Sequence, residues 1–190
     1  MTSQSWTPLD EHKPAPPRLQ PIQALVNTRD LEEGTDLLEE EDAAQSWLRE
    51  VGLIGKREQP SKADLRLLRG VREGLRAMLA HNGGDPAPTA EQLEPIRRLL
   101  ELERPGLELD EQGELRMHAA GKTLRGGLLE LLLRVRDSQL DGSWAQLKLC
   151  ANPDCRWAFY DLSRNHQGTW CRMEVCGNRL KNRRLRARRR

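Results

Sequence analysis

Long apolar runs are missing from this chain of 190 residues. No stretch approaches the roughly 20 consecutive apolar residues that a membrane-spanning helix requires, so no membrane partner is expected. The opening residues, MTSQSWTPLDEHKPAPPR, hold no apolar core of the kind a secretory signal carries, and a cytoplasmic location is expected. Aromatics are scarce too, at five Trp, one Tyr and one Phe. With so few rings, and 37% hydrophobic against 32% charged residues, the chain reads as stacked amphipathic helices rich in Leu. No internal repeat is present.

What the chain does have is unevenly spread. The net charge is only +2, yet residues 149–190 hold 11 Lys and Arg against three Asp and Glu, leaving 20 basic against 26 acidic residues before them. An acidic body joined to a basic end points to two jobs on one chain, with a polyanion as the partner of the basic end.

The organisation expected from residue patterning has three parts. Residues 1–20 carry Pro8, Pro14, Pro16 and Pro17 with few apolar side chains and read as a disordered lead-in. Residues 21–143 read as a helical domain. Within it, Ile22, Leu25 and Val26 form a short apolar stretch, and an acidic patch over residues 32–42 leads into a helix with Ala43, Trp47, Leu48 and Val51, stopped by Gly52 and Gly55. Ser61 with Asp64, and Thr89 with Gln92, have the spacing of capping boxes. The helices they start present Leu65, Leu68, Val71, Leu75 and Leu79, and then Leu93, Ile96, Leu99 and Leu100, near a 3.6-residue period. Residues 107–118 switch to alternation around the turn Asp110 to Gly113, which predicts a β-hairpin. A further helix over residues 123–137 buries Leu124, Leu128, Leu131, Leu132 and Val135. The Gly126-Gly127 pair inside it costs about 1 kcal/mol per Gly relative to Ala, and close helix packing is the expected reason for it. Residues 144–190 form the third part.

All four cysteines lie there, as Cys150, Cys155, Cys171 and Cys176. Each pair encloses four residues and fifteen separate the pairs. Zinc takes four thiolates tetrahedrally, and Ala-Asn-Pro-Asp has the composition of the sharp turn that points two sulfurs inward. Disulfides would suit an exported protein, and iron–sulfur clusters use other spacings, so one structural Zn2+ is the favoured ligand of the set. Four protein ligands leave no open position for a substrate, which makes the site structural and an enzymatic role the least favoured. Trp157, Phe159 and Tyr160 are expected to pack around the metal, and His166 to stay at the surface.

The run Cys-Ala-Asn-Pro-Asp-Cys, then Trp-Ala-Phe-Tyr-Asp-Leu-Ser-Arg-Asn, then Trp-Cys-Arg-Met-Glu-Val-Cys-Gly-Asn-Arg resembles the CGNR zinc finger, a bacterial family named for the tetrad present as Cys176-Gly177-Asn178-Arg179. More loosely, Val26-Asn27-Thr28, Asp36-Leu37-Leu38 and Trp47-Leu48 resemble the ABATE domain that accompanies this finger. The resemblance implies a stress-induced transcription regulator with a helical N-terminal region and a DNA-binding C-terminal zinc module. It also implies zinc on the four cysteines.

The expected fold is therefore mainly α with a small β-hairpin, a helical N-terminal domain followed by a treble-clef-like four-cysteine zinc finger. From the second Cys pair a basic helix is expected, in which Arg179, Arg183, Arg186 and Arg190 form one strip along a phosphate backbone, flanked by Lys181, Arg184 and Arg188. Arg164 and Arg172 would add contacts from the compact part. Local roles compete at two of these positions: Arg179 on zinc-loop carbonyls, and Asn178 as a cap. DNA is the favoured partner. RNA or ribosome binding, and a zinc-stapled protein-interaction module, are the alternatives. The helical domain would serve sensing or oligomerisation, a homodimer included. Asn27, Thr28 and Arg29 form a polar cluster that could line a ligand pocket, with helix capping as the plainer reading.

Overall fold

In a computed structural model of the chain, residues 11–179 are described. Among them are α1 (Gln20–Asn27), α2 (Glu41–Glu50), α3 (Lys62–Asn82), α4 (Ala90–Leu102) and α5 (Leu124–Leu140). Three antiparallel strand pairs accompany the helices: β1 (Arg29–Asp30) with β2 (Thr35–Asp36), β3 (Gly106–Leu109) with β4 (Leu115–His118), and β5 (Leu147–Leu149) with β6 (Ala158–Tyr160). The mainly helical fold with a hairpin at residues 106–118 is as expected. The short β1–β2 turn, where the Asp30 carboxylate accepts the amides of Glu32 and Glu33, occupies part of the acidic patch.

Both capping boxes form. Ser61 Oγ accepts the Asp64 amide while the Asp64 carboxylate accepts the Ser61 amide, and Thr89 and Gln92 repeat the exchange. Each cap satisfies helix amides that have no partner within the helix, worth about 1 kcal/mol. From its cap α3 runs through the centre of the molecule, with Leu65, Leu68, Val71, Leu75 and Leu79 in the core. On α4 only Leu99 is fully buried, and Leu100 is 47% exposed. The expected face is narrower than its period because α4 meets α3 along one close line. A Cβ on Gly70 would lie 2.8 Å from the Cβ of Pro95, and one on Gly74 2.9 Å from the carbonyl oxygen of Gln92.

Thr123 caps α5 by accepting the Gly126 amide. The Gly126-Gly127 pair does answer to close packing, though against loops rather than another helix: a Cβ on Gly127 would sit 2.2 Å from the carbonyl oxygen of Leu53. On the hairpin, Leu107 faces Met117 and Leu109 faces Leu115. Leu107, Leu109 and Leu115 are largely exposed.

One continuous core holds residues from both expected domains. Trp144, Leu147, Leu149, Ala158 and Tyr160 pack in the same cluster as Leu25, Leu68, Leu75 and Leu128. The boundary drawn at 143/144 thus crosses a shared interior. Residues 11–20 depart from the expectation. Expected as disordered, they are ordered against the protein, with Ala15 and Leu19 buried at 3% and 1% exposure; Leu19 contributes on the order of 1.5–3 kcal/mol by burial. Apolar side chains are few in this segment, but the two it has are both used. The rest of that lead-in, residues 1–10, lies outside the described residues. No helix among the described residues is long and apolar enough to cross a membrane.

Candidate metal centre

The four cysteines reach one point from two directions. The first pair lies in the turn between β5 and β6. There the Asn152 carbonyl accepts the amides of Cys155 and Arg156 at 3.0 Å each, and Arg156 takes φ 51°, a left-handed conformation that closes the turn. The second pair begins after Trp170, where a π turn (Met173–Gly177) carries Cys176 back toward Cys171. The Met173 side chain rests directly on this turn, since a Cβ on Gly177 would lie 2.4 Å from its sulfur. A hairpin thus bears one pair and a helical turn the other, the two parts expected of a treble-clef-like module.

All four Sγ atoms lie within 4.8 Å of one another, and the Cys155–Cys171 and Cys171–Cys176 separations are both 3.7 Å. Sulfurs bound tetrahedrally at 2.3 Å from a zinc ion would stand about 3.8 Å apart. A disulfide requires about 2.05 Å, so the disulfide alternative does not describe this cluster. All four side chains are buried, with Phe159, Trp157, Trp170 and Val175 around them. Tyr160 departs from expectation, since its ring packs into the main core instead.

The donor set fits a dication. Backbone amides of Asn152 and Cys171 donate to the Cys150 sulfur, that of Trp157 to Cys155, and the Asn152 side chain reaches Cys176 at 3.8 Å. Hydrogen bonds from the Cys155 and Cys171 thiols push Cys150 down to about 2, while the proton Cys155 holds toward Cys150 pushes it up to about 12. Cys171 is driven upward by its bonds to the same two sulfurs. Zinc binds thiolates, so a metal ion entering this cluster would displace the protons the sulfurs hold. Cys150, Cys155, Cys171 and Cys176 are the residues that would hold one structural Zn2+.

Side chains outside the ligand set position it, and sequence reasoning missed most of them. Asp161, 1% exposed, accepts from Lys148 Nζ at 2.9 Å, from the Ser163 hydroxyl at 2.6 Å and from the Gly168 amide at 2.7 Å. Burial raises its carboxyl, but these bonds hold it well below the usual carboxylate range. It therefore shapes the loop joining the two Cys pairs. The Asp-Leu-Ser spacing was the available signal, because Asx turns favour it. From the N-terminal side, Glu11 accepts the Trp157 indole N–H at 2.8 Å, and Lys13 donates to the Trp170 carbonyl at 2.7 Å. Lys13 Nζ also stands 4.9 Å from the centre of the Phe159 ring.

The remaining expected residues separate clearly. Arg164 and Arg172 are exposed on the zinc module. Arg179 is ion-paired with Glu32 of the β1–β2 turn, and Asn178 donates to the Glu174 carbonyl at 3.0 Å. Lys181, Arg183, Arg184, Arg186, Arg188 and Arg190 lie outside the described residues. His166 is exposed and is not among the clustered ligands. Asn27 and Thr28 are buried and bonded within the protein: Asn27 to Glu11 and Ala158, and Thr28 to the Leu25 carbonyl and Arg72. Arg29 pairs with Glu73 at 3.5 Å.

Residues 146–189 match the family model of the CGNR zinc finger. Residues 19–138 match that of ABATE, described as a putative stress-induced transcription regulator. Neither description is of an enzyme. No curated protein matches the chain.

Proposed function

The chain belongs to the ABATE family and carries a CGNR zinc finger, and from that premise we propose that it regulates transcription by binding duplex DNA through its basic C-terminal end. The observation that carries this reading is one of position. Cys176, fixed in the metal cluster, stands three residues before Arg179, and eight of the twelve residues 179–190 are Lys or Arg with no acid among them. Zinc thereby fixes the residue just ahead of the cationic segment. Arg164 and Arg172, exposed on the same module, extend the positive surface. Arg179, Lys181, Arg183, Arg184, Arg186 and Arg188 contact phosphates in this reading, which gives affinity more than base selectivity. The acidic helical body carries sensing or self-association.

The test is titration of the zinc-loaded protein against duplex DNA, single strands and structured RNA across salt concentrations. On duplex DNA the log–log slope is expected near −0.9 per phosphate contact. Replacing Arg183, Arg184 and Arg186 together by Ala should weaken binding and flatten that slope by about 0.9 per lost contact, with zinc content unchanged. Equal affinity in the variant removes the tail as the contact surface. Tighter binding to RNA at every salt concentration favours the RNA reading. Absence of binding to any nucleic acid at low salt favours a protein-interaction module.

A further inference from the structure

We propose that a cleft in the helical body, between the loop after α2 and the loop before α5, binds a small organic anion with an apolar body. The cleft encloses about 530 Å³, within the range that small-molecule sites occupy. Two loops build it. After α2 the chain turns back at Gly52, with φ 72°, and runs through Leu53 and Ile54. Before α5 it turns at Gly121, with φ 78°. The Gly55 amide donates to the Lys122 carbonyl at 3.1 Å and ties the loops together. Gly127, where a Cβ would overlap the Leu53 carbonyl, lets the first loop lie directly on α5.

The chemistry of the lining selects the ligand. Arg49, Lys56 and Lys122 line the cleft, against the single carboxylate of Glu130, which pairs with Arg134 at 3.8 Å. Lys56 and Lys122 have no ion-pair partner among the described residues. Arg49 uses Nη2 on the Gln45 side chain and the Glu58 carbonyl, while its Nε is buried with no acceptor. A buried donor without a partner is destabilising until an acceptor arrives. Three cations with one paired acid favour a monoanion. Most of the wall is carbon, supplied in part by Leu53, Ile54 and Ala119, which suits an apolar remainder. A carboxylate on a short aliphatic or aromatic group meets both conditions. The cleft shares none of its lining residues with the zinc module, and the inference does not depend on DNA binding.

The experiment is calorimetric titration of the zinc-loaded full chain with benzoate, hexanoate, benzamide and inorganic phosphate, each up to about 10 mM, a range that detects sites of millimolar affinity. Benzoate or hexanoate is expected to bind, with benzamide and phosphate each weaker by about tenfold or more, the scale of one charged hydrogen bond or its lost apolar contact. In the Lys56→Gln, Lys122→Gln double variant, whose changed side chains are exposed, affinity for the bound carboxylate should fall by about tenfold or more with unchanged melting temperature in the absence of probe. Failure of both carboxylates to bind overturns the proposal. So does equal binding of benzamide, which removes the charge requirement, or of phosphate, which removes the apolar one. Unaltered affinity in the double variant places any binding elsewhere and also overturns it.

Discussion

Asn27 closes two hydrogen bonds on the backbone of Ala158, its Nδ2 donating to the carbonyl at 3.0 Å and its Oδ1 accepting the amide at 2.7 Å. The side-chain amide acts as a neighbouring strand would, on the edge of β6 that faces away from β5. Lys13 covers the next position by accepting the Tyr160 amide, and Gln23 donates a second bond to Ala158. Helix α1 and the zinc-bearing hairpin are thus joined by polar bonds deep in the protein, three residues from the ligand Cys155.

Replacing Asn27 by Ala leaves the buried Ala158 amide without an acceptor and should cost about 2–3 kcal/mol. Urea unfolding read by circular dichroism measures this, and release of zinc to a colorimetric chelator should accelerate in the same variant. Unchanged stability together with unchanged release would show that the clamp does not couple the two regions.

Features set by neighbours in sequence were legible before the fold was known. Ser61 with Asp64 and Thr89 with Gln92 exchange bonds across three residues, so spacing alone locates them. The hairpin shows in alternation, and the ligand set in four cysteines of matched spacing. Contacts set by distant residues were not legible. Asn27 reads as an ordinary helix-end polar residue until Ala158, 131 positions later, is brought beside it. Glu11 and Lys13 lie in a Pro-rich segment whose composition argues for disorder, yet they pack against the rings of the zinc module. Leu100 has the right helical phase for burial and is exposed because no element among the described residues covers that side of α4.

Gly127→Ala tests the close approach of the Leu53 loop to α5. Intrinsic helix propensity favours Ala by about 1 kcal/mol. A Cβ at 2.2 Å from a backbone oxygen cannot be relieved by rotating a side chain, and overpacking of this kind costs about 1–3 kcal/mol or more. The net effect should be destabilising in urea or thermal melts. A stabilised variant would mean that the loop moves away freely.

The buried Arg72 guanidinium binds both oxygens of Asp36, at 2.6 and 2.7 Å. Burial raises the Asp36 carboxyl, but hydrogen bonds from Arg72 and the Leu38 amide more than offset this and hold it below 3.8. A depressed folded-state pKa means that the carboxylate contributes stability above its unfolded value, and that this is lost as pH falls through the folded value. Asp36→Asn should therefore cost about 3 kcal/mol at pH 7, the lower end for breaking a buried pair. The gap between the wild type and this variant should narrow below about pH 4. Parallel urea titrations of the two proteins from pH 7 to pH 3 measure the gap, and a gap independent of pH would contradict the role given to the ion pair.

Because Tyr160, Leu147 and Leu149 join the zinc hairpin to the main core, metal removal should weaken more than the finger. Scanning calorimetry of the zinc-loaded chain should show one cooperative transition. Chelation should shift it downward by roughly 10 °C or more, since structural zinc in isolated fingers supplies about 10–16 kcal/mol. A helical transition that keeps its temperature after chelation would establish two independent units.

The most direct test of the account is zinc-edge X-ray absorption on protein purified without added metal, with metal content measured on the same sample. One zinc per chain, surrounded by four sulfurs at about 2.3 Å, is the predicted result. A metal-free protein with Cys150, Cys155, Cys171 and Cys176 joined in disulfides, or a zinc shell containing nitrogen or oxygen in place of a sulfur, would contradict it.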